Sequence, residues 1–154
     1  MEKTRLVDTN PGTDAGAVFR PLSTALGTTG VAINYYERPP GSSIGYCYHR
    51  HHEQEEVFVV LSGTATFDTE DGDVAVESGE LIRFAPGEWQ QGWNRGDTRL
   101  EVLALGAPHE QGPTDLRRDC PACGELTPAV PDSTDEELVF DCDVCGVETG
   151  RYTL

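Results

Sequence analysis

The chain has 154 residues, 37% of them hydrophobic, and a formal net charge of −16 at neutral pH. Its 27 acidic residues against 11 basic ones repel nucleic-acid phosphate and anionic membranes. No apolar run approaches the ~20 residues of a membrane span, so the size to expect is one small core with a minor appendage.

Residues 1–15 are polar, with Asn10-Pro11-Gly12 as a turn signal, and predict a mobile or loosely docked lead-in. They lack the apolar stretch of a signal peptide, which makes a cytoplasmic protein the expectation. Ala17-Val18-Phe19-Arg20 reads as an edge strand ended by Pro21. From Gly30 to Glu37, Val31, Ile33 and Tyr35 alternate with Ala32, Asn34 and Tyr36, the period of a half-buried strand. After a turn at 38–43, the strand Ile44–His51 puts Gly45, Cys47, His49 and His51 on one face. Tyr46, Tyr48, Arg50 and His52 take the other. Val57–Leu61 is continuously apolar and predicts a strand covered on both sides. Asp71-Gly72 marks a hairpin between Thr64–Phe67 and Val74–Val76. Leu81–Phe84, Trp89–Trp93 and Arg99–Leu105 follow at similar spacing. About nine short strands and no convincing helix predict a sandwich or barrel.

His49 and His51 share a face, and Glu56 opens the returning strand, where it can bring a carboxylate opposite them. Two imidazoles and a carboxylate are the usual minimum for a divalent transition metal with open positions. Glu55 competes for the carboxylate role, and His52 is expected at the surface.

These residues resemble the first motif of the cupin superfamily, with His49, His51, Glu56 and Gly63 in register and Ser43 where that motif has glycine. Gly79, Gly87 and Asn94 fit the second motif, in which Ala85 replaces a proline and Gln90 replaces the fourth metal ligand, a histidine. Fifteen residues, Thr64 to Ser78, separate the motifs, a spacing similar to compact microbial cupins. The resemblance implies an all-β cupin (double-stranded β-helix, jelly-roll) barrel over 16–106. It also implies a metal at His49, His51 and Glu56, with Gln90 as a candidate fourth ligand. Zn, Fe, Mn and Ni are alike on this pattern. Cys47, Trp89 and Asn94 are expected to line the cavity, and a homodimer is expected because small cupins commonly pair through their sheets.

Residues 107–118 hold Pro108, Gly112 and Pro113 with no apolar period and read as a linker. Beyond it, Cys120-Pro121-Ala122-Cys123-Gly124 and Cys142-Asp143-Val144-Cys145-Gly146 are two C-x-x-C pairs, separated by the 18 residues Gly124 to Asp141. Four thiolates at this spacing predict a closed, structural Zn2+ site in a reducing compartment. A glycine after each pair lets the backbone turn under the metal. Residues 119–154 thus resemble a zinc ribbon, structural or protein-docking. Their nine acidic residues and one basic residue, Arg151, disfavour nucleic acid.

The acidic excess, with Lys3 as the sole lysine, resembles proteins of salt-accumulating organisms such as haloarchaea. The resemblance to cupins implies a metalloprotein binding a small molecule in its barrel, a metal-dependent oxygenase or isomerase of open substrate. The alternative is a ligand-binding or regulatory cupin whose metal site Gln90 has degraded. The sequence assigns no catalytic residue.

Overall fold

The computed structural model describes residues 1–9, 12–14, 16–134 and 136–153. Asn10 and Pro11, the core of the expected first turn, lie outside the described residues.

The lead-in is docked where it is described. A 3-10 turn, Leu6–Asp8, precedes strand β1 (Gly12–Asp14), which pairs with β2 (Ala17–Pro21). Arg20 donates to the Thr9 carbonyl. A short helix, α1 (Leu22–Leu26), follows and ends at Gly27. The sequence did not announce it, since five residues are too few to show a helical period.

The barrel strands come next: β3 (Ala32–Arg38), β4 (Ser43–His51), β5 (Glu55–Ser62), β6 (Thr64–Thr69), β7 (Gly72–Glu77), β8 (Leu81–Phe84), β9 (Gln90–Trp93) and β10 (Leu100–Ala107). The expected hairpin joins β6 to β7, with Thr69 opposite Gly72. One sheet runs β1-β2-β3-β10-β5-β8, with every pairing antiparallel. Between the sheets lie Ile44, Phe58, Val60, Ala65, Phe67, Val76, Phe84, Leu100, Val102 and Ala104. Phe67 has its ring centre 4.9 Å from Phe58 and 5.3 Å from Phe84.

Two expectations about strand faces are corrected. In β4, Gly45 takes φ +78° and the register to β9 shifts between Ile44 and His49. A bulge of this kind changes which residues face inward. Ile44 joins the core, and Tyr46, expected on the face away from Cys47, lines the same cavity as Cys47. In β5, Phe58 and Val60 are buried, but Val57 and Val59 are only half-buried and Leu61 is exposed. Only one face of this strand is covered within the chain.

The tail extends the second sheet. Strands β11 (Thr114–Cys120), β12 (Glu125–Ser133), β13 (Glu137–Cys142) and β14 (Glu148–Thr153) complete the order β14-β13-β12-β11-β4-β9-β6-β7. Thr114–Cys120 overlaps the stretch expected to be a linker, and it is a strand hydrogen-bonded to β4. Only Leu116 in it is strongly apolar. Arginines on aromatic rings stand in for apolar residues: Arg117 lies 4.3 Å from the Trp89 ring centre, and Arg118 lies 5.1 Å from that of Phe140.

Candidate metal centre

His49 and His51 point inward from β4, with Glu56 facing them from β5 and Gln90 from β9, directly opposite His49. Glu56 Oε2 is 3.5 Å from His49 Nε2 and 3.4 Å from His51 Nε2. The three ligand-type atoms lie within 4.8 Å of one another and could hold a metal ion. Glu55 turns outward to Arg83 at 2.6 Å, and His52 meets Asp115 at the surface at 3.1 Å, as strand alternation requires.

Hydrogen bonds orient both rings. His49 Nδ1 lies 3.0 Å from the Cys47 carbonyl, which only accepts, so Nδ1 carries the proton and Nε2 offers its lone pair. The Gln90 amide nitrogen, 2.9 Å from His49 Nε2, donates to that lone pair. It also donates to Glu56 Oε2 at 2.7 Å. His51 Nδ1 lies 2.8 Å from Thr114 Oγ1. Burial pushes the Glu56 carboxyl up, but the hydrogen bonds and charge that His49 and His51 supply when both ring nitrogens carry protons outweigh it and hold the group at about 2. Two imidazoles and a carboxylate converging in this way form a donor set that fits a divalent transition metal. Gln90 is 2% exposed and would present its amide oxygen to a metal only after turning its amide over.

The site opens into a cavity of about 590 Å³. Asn34, Tyr36, Arg38, Cys47, Gln54 and His109 contribute to its wall. Burial, then the Glu56 charge, raises the Tyr36 hydroxyl. Burial likewise pushes the Cys47 thiol up. Cys47 stands where the sequence placed it, whereas Trp89 and Asn94 do not line the cavity. Trp89 stacks on Tyr48, on the face of β4 away from the imidazoles, with Arg50 4.9 Å from its ring centre. Asn94 ties a turn, donating to the Arg38 and Thr98 carbonyls at 2.8 Å and accepting from the Gly96 amide at 3.1 Å.

Sequence reasoning missed Gln54, Thr114 and His109. Gln54 is buried and donates to the Pro108 carbonyl at 2.6 Å, holding the chain after β10 against the cavity. Thr114, Leu116 and Phe140 of the tail also line the cavity. Nothing local in the sequence signals these roles, because each depends on contacts between segments far apart in the chain: Gln54 with the residues after β10, and Thr114 with β4.

The four tail cysteines gather as their spacing predicts. Their sulfurs lie within 4.8 Å of one another, with Cys120–Cys145 at 3.5 Å and Cys123–Cys142 at 3.9 Å. Bonds of ~2.3 Å to a tetrahedral zinc put sulfurs about 3.8 Å apart, so the group fits that ion. All are free thiols. The Thr127 hydroxyl, 3.2 Å from Cys142 Sγ, is the main reason that thiol sits at about 6.

Residues 34–106 match the family model described as Cupin_2, Cupin domain. An oxalate-binding protein from Thermotoga maritima is 36% identical over 67 residues, 44% of this chain and 54% of that protein. The chain thus spans about half the length of the curated relative it matches. A solved sugar phosphate isomerase of the cupin superfamily from Silicibacter pomeroyi aligns with 99% of this chain and 91% of its own, at 19% identity and a TM-score of 0.61. A predicted oxalate decarboxylase from Thermotoga maritima aligns with 68% of this chain and 96% of its own, at 25% identity and a TM-score of 0.59. No described helix is long and apolar enough to cross a membrane. The sheet order and the inward His-x-His and carboxylate accompany a match to the Cupin domain model over residues 34–106, and the fold is an all-β, cupin-type double-stranded β-helix.

Proposed function

We propose that this chain is a metalloprotein that binds a small molecule at a divalent metal held by His49, His51 and Glu56, and that its activity is a metal-dependent oxygenation or isomerisation. The carrying observation is the convergence of the two Nε2 atoms on Glu56 Oε2, at 3.5 and 3.4 Å. When bound, such a metal supplies Lewis acidity or oxygen activation. The chain's own residues do the rest. Glu56 keeps its charge in a half-buried place, Gln54 holds one cavity wall, and Arg38 contributes to the wall of the ligand's space. The name of the oxalate-binding relative makes a small carboxylate the first ligand to try.

A second reading has its own support. The Gln90 amide nitrogen already bridges His49 Nε2 and Glu56 Oε2, where a fourth ligand would stand. That favours a ligand-binding or regulatory cupin without a competent metal. In either reading we assign the tail as a structural zinc ribbon, with Zn2+ on Cys120, Cys123, Cys142 and Cys145.

Elemental analysis of the full chain tests these assignments together. Two metal equivalents are expected, falling by one in His49→Ala/Glu56→Gln and by one in Cys120→Ser/Cys142→Ser. Calorimetric titration with oxalate should show binding that needs the barrel metal. Oxalate binding of equal strength to the chelated and loaded proteins would favour the second reading, and metal content unchanged in His49→Ala/Glu56→Gln would remove the first.

A further inference from the structure

The two imidazoles of the barrel centre are oriented by different parts of the chain. His49 leans on the Cys47 carbonyl, a backbone atom of its own strand. His51 leans on a side chain from the tail, Thr114 of β11. Thr114 stands opposite His51 in the antiparallel pairing, so the two side chains share one side of the sheet.

A threonine hydroxyl has one proton and can either give it or accept another. Thr114 Oγ1 lies 3.2 Å from the Gly112 carbonyl, which can only accept. The hydroxyl proton goes there, and Oγ1 is left to accept from His51 Nδ1. The proton of His51 is thereby fixed on Nδ1, and its Nε2 lone pair faces Glu56. Without the hydroxyl, Nδ1 would be a donor with no partner on a ring that is only 8% exposed. The other tautomer then becomes the better one, because Nε2–H can donate to Glu56 Oε2, 3.4 Å away. That tautomer spends the lone pair a metal needs.

We infer that Thr114 is a positioning residue of the barrel centre: through its hydroxyl, the tail strand sets the His51 tautomer and so the metal affinity of the barrel. The inference rests on the metal reading proposed above, and its test separates the two. The full chain, with one equivalent of Zn2+ on the cysteines, is titrated with Mn2+, a hard ion that leaves thiolate-bound zinc in place. Free Mn2+ is followed by electron paramagnetic resonance. Thr114→Val, which keeps the shape and loses the hydroxyl, should weaken Mn2+ binding by about ten- to a hundredfold, the usual effect of losing a partner of a ligating histidine. Thr114→Ser, which keeps the hydroxyl, should bind like the wild type.

Nitrogen-15 spectra of the metal-free histidines at about pH 8, above their ordinary titration range, give a second readout. His51 should carry its proton on Nδ1 in the wild type and on Nε2 in Thr114→Val. Unchanged Mn2+ affinity in Thr114→Val, or equal losses in the Val and Ser variants, would overturn the inference. A wild type that binds no Mn2+ and takes up no second equivalent of Zn2+ or Ni2+ would bring down the metal reading instead. The spectra then decide alone: a tautomer change in Thr114→Val supports the inference, and the same tautomer in both proteins overturns it.

Discussion

His49 and His52 are close in sequence and stand in opposite environments. His49 turns inward to Glu56 and Gln90, whereas the His52 side chain is 46% exposed beside Asp115. His49→Ala should therefore abolish transition-metal binding in the barrel, while His52→Ala leaves it within about twofold, as surface substitutions usually do. Equal losses in a calorimetric titration would mean that the inward assignment is wrong. Strand alternation and the register to Gly63 point to His49, His51 and Glu56 rather than His52 and Glu55, and the structure turns the first three inward and the last two to surface partners. Gly63 shows why that register is rigid: its φ is +80°, and a Cβ there would lie 2.9 Å from the Arg99 carbonyl oxygen. Trp89 and Asn94 were misread because motif position says nothing about the far side of a strand. Trp89 found arginines to stack with on the outer face, and Asn94 found backbone to tie.

Strands set the next level of constraint. Between the sheets, β9 passes so close to the core that a Cβ on Gly92 would lie 2.8 Å from Ile44 Cδ1 and 2.9 Å from Phe67 Cε1. Both neighbours are buried, and Phe67 is fully so. Gly92→Ala should cost about 1–3 kcal/mol by overpacking, read as a lower denaturant midpoint; an unchanged midpoint would show that the core yields freely. On the outer side of the first sheet, the pairings line up two rows, Ile33-Leu105-Val57-Arg83 and Tyr35-Leu103-Val59-Leu81. Apart from buried Tyr35, the apolar members are half-buried or exposed. A second copy of this chain is the expected cover, and Val59→Asp should convert a dimer to a monomer in light scattering. A wild type that is monomeric at tens of micromolar would remove this claim and leave the fold intact. The apolar run of β5 was read as covered on both faces, and the single chain covers one; the sequence records burial in whatever assembly exists, not its source. Strand β11 was illegible for a different reason. Its partners β4 and β12 lie far apart in the chain, and its contacts are made by arginines and a threonine, which carry no periodic apolar signal.

Across the whole molecule, charge is the dominant unbalanced quantity. Among the described residues, arginines form surface pairs: Arg50 with Asp115, Arg83 with Glu55, Arg95 with Asp68 and Asp73, Arg99 with Glu37, and Arg151 with Glu137 and Glu148. Partly exposed pairs of this kind contribute about 0–1 kcal/mol each. With 27 acidic residues against 11 basic ones, most carboxylates have no cationic partner to meet. Four thiolates on one zinc would add about two more negative charges relative to neutral cysteines. This repulsion opposes both the compact state and the proposed pairing of two acidic copies. Salt acts on the two terms unequally. Raising it from 0.1 M to 1 M shortens the Debye length from about 10 Å to about 3 Å. The few close ion pairs weaken somewhat, but the longer-range repulsion among many unpaired carboxylates is screened almost entirely. Against a net domain stability of about 5–15 kcal/mol, relief of that repulsion is a visible fraction. The melting temperature should therefore rise steeply between low salt and molar KCl, and light scattering should show the dimer favoured over the same range. Lowering the pH toward about 5 at low salt should partly reproduce the rise, because crowded exposed carboxylates begin to bind protons there. Linkage sets the lower limit: Glu56, Asp115 and Glu148 are held below their ordinary values, so the stability they contribute is lost as the pH falls below the ordinary carboxylate range toward the value of about 2 for Glu56. Thermal unfolding followed by circular dichroism across a KCl series reads this directly. A melting temperature flat from about 0.1 M to 2 M KCl, a range over which screening changes severalfold, would sink the assignment of this acidic surface to life in concentrated salt.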